Sequence, residues 1–292
     1  MSTLVFLLLG ISLAALAQNP PAPAPAPAPS SPRDQAWKVL KTAVGDANPD
    51  KRIHALTAIS SIGLDKDAVH LVEGSLHDTV ILVRQTAAAL LGQMQSKSSI
   101  PRLREALDDS PEVSFTAARS LWQMGDREGR DVFEDVLSGE VKNSPGLMAD
   151  TARKVRARLR NPKALALMGL KEATGALVPF SGLGIDVAQE VMKDSGAPGR
   201  TLAVTILAES CNDQERQVME SVLDTDKNWG VRAATARALG SCGNAQTVER
   251  LEPLLDDSHD TLRNMAAASI VRLTEPRPAP RAIPRLPAKK KI

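Results

Sequence analysis

A ten-residue pattern returns along this chain. It reads VRAATARALG at Val231–Gly240, VRQTAAALLG at Val83–Gly92, VSFTAARSLW at Val113–Trp122 and LRNMAAASIV at Leu262–Val271. Looser copies begin at Lys51 (KRIHALTAIS) and Gly199 (GRTLAVTILA), and a more divergent one at Leu147 (LMADTARKVR). Successive copies start 32, 30, 34, 52, 32 and 31 residues apart. A unit of that length holds two short helices, and neither can bury its apolar face alone, so each unit must stack on its neighbours.

The residue types say how the stack is made. Ala or Thr at the fifth and sixth columns, with Leu or Ile near the ninth, lets one backbone approach another closely. In the second helix, Ile100, Leu103 and Leu107 recur at helical spacing, as do Val248, Leu251 and Leu255. Asp108, Asp109, Ser110 and Pro111 then stop one unit and cap the next, and Asp46, Asp50, Asp256, Asp257 and Asp260 sit at comparable joints. The arginines of the second column, Arg52, Arg84, Arg200, Arg232 and Arg263, are expected to pair with aspartates of the preceding turn; a ladder gripping an acidic peptide is the competing reading.

The valine-arginine start, paired alanines, ALG-like helix end and IPxL-like second helix resemble the HEAT-repeat superfamily, in particular the short HEAT-like repeats of phycobiliprotein lyases. The resemblance runs over residues 35–273 and is weakest over 141–198. It implies an all-α fold, an alpha-alpha superhelix (alpha-solenoid) of about six to seven helical hairpins. Members of the superfamily serve as protein-binding scaffolds and a few are lyases or hydroxylases, so the resemblance transfers an architecture and no single activity.

Around that array the chain divides by composition. Residues 4–17 are an uninterrupted apolar run ending Ala15-Leu16-Ala17, so 1–17 reads as a signal peptide cleaved before Gln18, too short for a membrane span of about 20 residues. An uncleaved anchor is the alternative. Residues 18–33 form a Pro/Ala-rich linker, 34–273 the solenoid, and 274–292 a basic Pro-rich tail. The expected location is periplasmic or secreted. A formal charge of +2 and 2% aromatics give no reason to expect nucleic acid.

Within the array, Gln35–Val44 looks like a lone second helix at the start, and Leu262–Leu273 like a first-type helix with no partner after it. Between them, Lys51–Ile62 pairs with Asp67–Leu76, Val83–Met94 with Ser99–Leu107, and Val113–Met124 with Arg130–Leu137. The fourth unit departs. Its first helix, Leu147–Leu159, is basic, its second is displaced to Ile185–Lys193, and an apolar, glycine-broken insertion lies at about 161–184. That insertion either adds to the core or is exposed and docks a partner or a membrane surface. The pattern resumes at Gly199–Ala208 with Glu215–Leu223, and at Val231–Leu239 with Ala245–Leu255.

Chemistry is sparse. Cys211 and Cys242 stand 31 residues apart, one repeat, so a disulfide is geometrically open to them, as is a pair of half-buried thiols. His54, His70, His77 and His259 are scattered, and no HExxH or GxSxG is present. No catalytic, cofactor-binding or metal-binding residues, and no cofactor, are expected. The composition and motifs together predict a non-enzymatic exported scaffold or adaptor binding a protein partner in the envelope. The alternatives are a lyase-like enzyme with a site in the concave groove and an attachment protein for an envelope or membrane surface.

Overall fold

The computed structural model describes residues 30–138 and 185–275. The expected leader, the insertion at 161–184, the basic helix at 147–159 and all but the first residues of the tail lie outside them. Thirteen α-helices run through the described residues: α1 Pro32–Val44, α2 Pro49–Ser60, α3 Lys66–Gly74, α4 Ile81–Gln93, α5 Ile100–Glu105, α6 Pro111–Gln123, α7 Arg130–Ser138, α8 Ile185–Val191, α9 Ala197–Ser210, α10 Asp213–Thr225, α11 Trp229–Cys242, α12 Ala245–Leu251 and α13 Asp260–Leu273. The all-helical solenoid is as expected. Among the described residues no helix is long and apolar enough to cross a membrane.

Helix starts are set by side chains. Ser31, Asn212 and Asn244 form reciprocal capping boxes with Asp34, Glu215 and Thr247, while Asn48, Asp65 and Asn228 cap α2, α3 and α11. Pro32, Pro49 and Pro111 occupy first helical positions, where the missing N–H costs nothing. Ser31 and Pro32 thus belong to α1, so the linker expected to run to residue 33 stops short of it.

The helices do not stack in chain order. First-type helices follow one another as α9, α11, α13, α2, α4 and α6, because α13, the last helix, packs on both α11 and α2. α1 packs on α13 and on α2, in the place that α3 holds between α2 and α4. The two helices expected to be unpaired therefore complete each other: α13 is the first helix of a hairpin whose second helix is α1. This corrects the expectation that α1 caps one end of the array, which actually lies in its middle. Arg33 Nη1 donates to Val271 O at 2.6 Å, Nη2 reaches Asp65 Oδ2 at 3.2 Å, and Arg272 Nη1 donates to Ser61 O at 3.2 Å. α13 is buried on all sides as a result, from Thr261 to Val271 apart from half-buried Arg263.

Close approach of the small columns is visible twice, in equivalent places. A Cβ on Gly92 would lie 2.6 Å from Ser120 Cβ, and one on Gly240 2.8 Å from Ser269 Cβ. Each serine uses the proximity: Ser120 Oγ donates to Ala88 O at 2.9 Å and Ser269 Oγ to Ala236 O at 2.7 Å. A hydroxyl buried at a helix contact must find a partner, and here it finds the carbonyl of the helix it packs against.

The arginine ladder exists, with its direction corrected. Arg52 holds Asp78 through two bonds of 2.7 Å, and Arg84 holds Asp109 likewise. Arg200 takes Asp226 at 2.7 Å and Arg232 reaches Asp257 at 3.4 Å. In each of these pairs the carboxylate lies in the turn after the arginine's own unit; Arg200 also holds Asp194 of the preceding turn, at 2.6 Å, as expected. The preceding turn supplies a backbone oxygen to three of them: Asp46 O to Arg52, Asp78 O to Arg84 and Asp226 O to Arg232. At the α13–α1–α2 junction, where the chain is discontinuous, Lys51 takes over, with Nζ 3.2 Å from Asp260 and 3.9 Å from Asp46, while Arg263 turns to Asp260 itself.

Cys211 and Cys242 are joined, with Cα atoms 6.0 Å apart. Stacked helices alone would hold those backbones farther apart. Cys211 closes α9 in the left-handed region, φ 39°, and that turn brings its backbone toward the end of α11.

Candidate functional site

The described residues bring polar groups from three distant parts of the chain together where the array closes. His54 stands in the fourth column of α2, Thr261 in the first turn of α13, and Asp186 in the first turn of α8. Asp186 Oδ1 is 3.5 Å from His54 Nε2, and Asp186 Oδ2 accepts from the Thr261 hydroxyl. All three are partly or fully buried, Thr261 at 2% exposure. Lys51 and Asp260 lie beside them on the same two helices.

α8 makes this cluster. It was expected as the displaced second helix of a hairpin, Ile185–Lys193. Instead it is shorter and lies against the N-terminal turns of α11 and α13. Val187 and Val191 are fully buried, Gly230 has no room for a Cβ against them, and Asn228 Nδ2 donates to Glu190 O at 3.2 Å. Periodicity alone could not show this, because Val187, Ala188 and Val191 at helical spacing suit a packed helix in either place.

The order of groups limits the chemistry. The carboxylate stands between the hydroxyl and the imidazole, so the imidazole is not placed to take the proton of Thr261, and the arrangement is not that of an activated nucleophile. A His–Asp pair can bind a cation, or hold and pass a proton. The remaining imidazoles do not join it: His70 is on α3, His77 in the turn after it, and His259 immediately precedes α13, stacked on Trp229 at 5.1 Å between centroids. Among the described residues no three of His, Cys, Asp and Glu are grouped so as to hold a metal ion.

A second feature lies on α6 and α7, at one end of the described stack. Phe133 meets Phe115 edge-on at 5.4 Å and Trp122 at 5.8 Å, and the Arg127 guanidinium lies 3.6 Å above the Trp122 ring. Trp122 is 43% exposed and Leu137 85%. Three of the chain's seven Phe and Trp residues are thus gathered at one place. Trp122 stands in a tenth column that is Ser, Gly or Ala in four of the other six copies, which is the readable sign of the cluster.

A family model described as HEAT repeats matches residues 75–143 and 185–285, together more than half of the chain. The chain belongs to the HEAT-repeat family. Among curated proteins, this HEAT-repeat chain is 23% identical over 255 residues to a deoxyhypusine hydroxylase of Candida albicans, covering 82% of this chain and 80% of that protein. It is 33% identical over 110 residues to a deoxyhypusine hydroxylase of Aspergillus clavatus, covering 35% and 32% of the two. A solved structure of human deoxyhypusine hydroxylase in complex with glycerol aligns over 83% of this chain and 96% of that one, at 17% identity and a TM-score of 0.30.

These relatives correct the functional expectations. They are enzymes, which overturns the reading of this HEAT-repeat chain as a non-enzymatic exported scaffold, and they support neither a lyase-like activity nor attachment to an envelope surface. Deoxyhypusine hydroxylases act in the cytosol, which overturns the periplasmic or secreted placement and the signal-peptide reading that led to it.

Proposed function

We propose that the chain recognises a polypeptide partner at the α6–α7 end of its stack. The cluster of Phe115, Trp122, Phe133 and Arg127 carries this reading. Trp and Arg dominate the binding energy of protein interfaces because they offer large area with few rotors and directed donors. Here Arg127 is already stacked on Trp122, so less freedom is lost on binding. The arginine ladder does not serve this purpose, since its guanidinium groups are engaged by turn aspartates. The test is affinity of a cross-linked and identified partner for wild-type chain against Trp122→Ser. A loss of about tenfold or more is expected, as for a residue worth above about 1.4 kcal/mol; unchanged affinity rejects this surface.

A second reading, hydroxylation of a deoxyhypusine side chain, is favoured by one observation, the 23% identity that extends over most of both chains. Oxygenation commonly uses iron held by two imidazoles and a carboxylate. His54 and Asp186 supply one of each, and Thr261 occupies the remaining side of the carboxylate. This donor set does not fit such a centre, and no step is derived through it. Metal analysis of purified protein combined with a hydroxylation assay decides the matter: turnover with bound iron establishes the reading, and absence of both sinks it.

We also infer the finer kinship with the short HEAT-like repeats of phycobiliprotein lyases, supported by the VRAATARALG spelling and the 30 to 34 residue units. A profile built on those repeats alone that fails to align with Val83–Gly92 and Val231–Gly240 would remove it.

A further inference from the structure

Asp186, the carboxylate that α8 brings to α2 and α13, uses only one of its two oxygens. Its Oδ2 accepts from the Thr261 hydroxyl, while its Oδ1 is closed off from solvent with no hydrogen-bond partner. Nε2 of His54 stands 3.5 Å away, beyond the length of a good hydrogen bond. Among the described residues no Lys or Arg is paired with this carboxylate: Lys51, one turn from His54 on α2, is engaged by Asp260 and Asp46. A desolvated carboxylate oxygen with neither donor nor counter-charge is costly.

A second orphan lies beside it. Asn264 is fully buried on α13, and neither its Oδ1 nor its Nδ2 has a partner. Residues three apart on a helix share a face, so Asn264 follows Thr261 along the side of α13 that meets Asp186. The repeat gives its direction across the stack. On the equivalent pair α4 and α6, third-column Gln85 donates to fourth-column Thr116 at 3.2 Å. Asn264 is the third-column residue of α13, and His54 the fourth-column residue of α2, the helix packed next to it.

Two ligand atoms about 2.1 Å from one metal, at the tetrahedral angle, stand about 3.4 Å apart. The 3.5 Å between His54 Nε2 and Asp186 Oδ1 matches that edge. The Thr261 hydroxyl fixes the carboxylate through its other oxygen, as outer hydrogen bonds do for metal-binding carboxylates. One imidazole with a carboxylate and an amide oxygen suits a divalent cation such as zinc or manganese.

We propose that His54 Nε2, Asp186 Oδ1 and Asn264 Oδ1 bind one divalent metal cation, with Thr261 as a positioning residue. The third donor is an amide oxygen rather than a second imidazole, so the site is distinct from the iron centre considered above, and it depends on neither functional reading.

Equilibrium dialysis of the full chain against zinc chloride, and separately against manganese chloride, tests it. The expected result is one equivalent bound per chain with at least one of the two metals. Thr261→Val keeps the shape of the side chain and removes its hydroxyl, and is expected to weaken binding about 10–100-fold. His54→Gln and Asp186→Asn are expected to weaken it further. His259→Gln, which breaks the other His–Asp pair, is expected to leave it unchanged. No bound metal in either salt overturns the site, as does binding that His54→Gln retains or that His259→Gln removes. Should Asp186→Asn or Thr261→Val fail to fold, His54→Gln, whose side chain is half-exposed, carries the comparison.

Discussion

Arg33 Nη1 donates to Val271 O at 2.6 Å across 238 residues of sequence, so the first of the described helices is fastened to the last. Both belong to one hairpin in the middle of the stack. Among the described first-type helices the order runs from α9 to α6, with the α13–α1 hairpin between them.

With that order, the covalent link through 139–184 is not needed for the halves to find each other. Residues 30–138 and 185–275, produced as separate chains and mixed, are expected to form a one-to-one complex through α1, α2 and α13, measurable by sedimentation. Two pieces that stay apart at micromolar concentration would contradict the closure. Removing residues 31–45 from the full chain is expected to uncover α13 and to abolish cooperative unfolding.

Two glycines make opposite predictions from the same substitution. At Gly240 an added Cβ meets Ser269, so Gly240→Ala is expected to destabilise by about 1–3 kcal/mol through overpacking. At Gly199, in the first turn of α9, nothing lies within 4 Å of the new methyl, and Gly199→Ala is expected to stabilise by about 0.5–1 kcal/mol. Urea unfolding midpoints at constant slope check both.

The ladder predicts an acid limb in stability. The paired hydrogen bonds from Arg84, against the opposing effect of burial, hold the Asp109 carboxyl below the usual carboxylate range. A depressed folded-state pKa means that the folded form binds the proton less readily than the unfolded one. The stabilisation is therefore complete above the unfolded value near 4 and is lost as pH falls through the lower folded value. Asp109→Asn is expected to cost about 1.5–3 kcal/mol at pH 7 and to show a shallower loss below pH 4, in stability measured from pH 7 to 2.5.

The bridge between Cys211 and Cys242 spans 31 residues. In the chain-entropy account a loop of that length is worth about 3–4 kcal/mol. Reduction with dithiothreitol, or Cys211→Ser with Cys242→Ser, is expected to lower the melting temperature and leave the helical content of the folded state intact. Unchanged melting after complete reduction would show that the bridge does not constrain the unfolded chain.

Much of this was legible in the repeated decapeptide. Its alanines gave the close faces later seen at Gly92 with Ser120 and Gly240 with Ser269, and its joints gave the caps. The pairing of α1 with α13 was not found, although both were recognised as incomplete hairpins: spacing records neighbours along the chain, and these two meet only through space. The arginine direction held at Arg200, which takes Asp194 as well as Asp226, and differs at Arg52, Arg84 and Arg232 for a related reason. In a periodic array an aspartate lies within reach both before and after each arginine, and only geometry chooses Asp78 for Arg52. The Cys211 backbone and the place of Asp186 depend on a left-handed turn and on a helix lying across its neighbours, neither of which has a spelling. Of the aromatic cluster, Trp122 in a mostly small tenth column is the one visible sign; Phe115 stands in a third column of mixed size, and a low count of rings does not say where they gather.

The closure also fixes a timetable. During synthesis α1 emerges before the other described helices and waits, through more than two hundred further residues, for α13 to complete its hairpin. Its partner surface, with Trp37 and Leu40 on it, stays open until then. A linear solenoid can nucleate anywhere and zip outward, but the α13–α1 hairpin of this one is set by a contact that spans 238 residues. Its assembly is the step in which loop-closure entropy is greatest, so the middle of the stack is the last part to be finished.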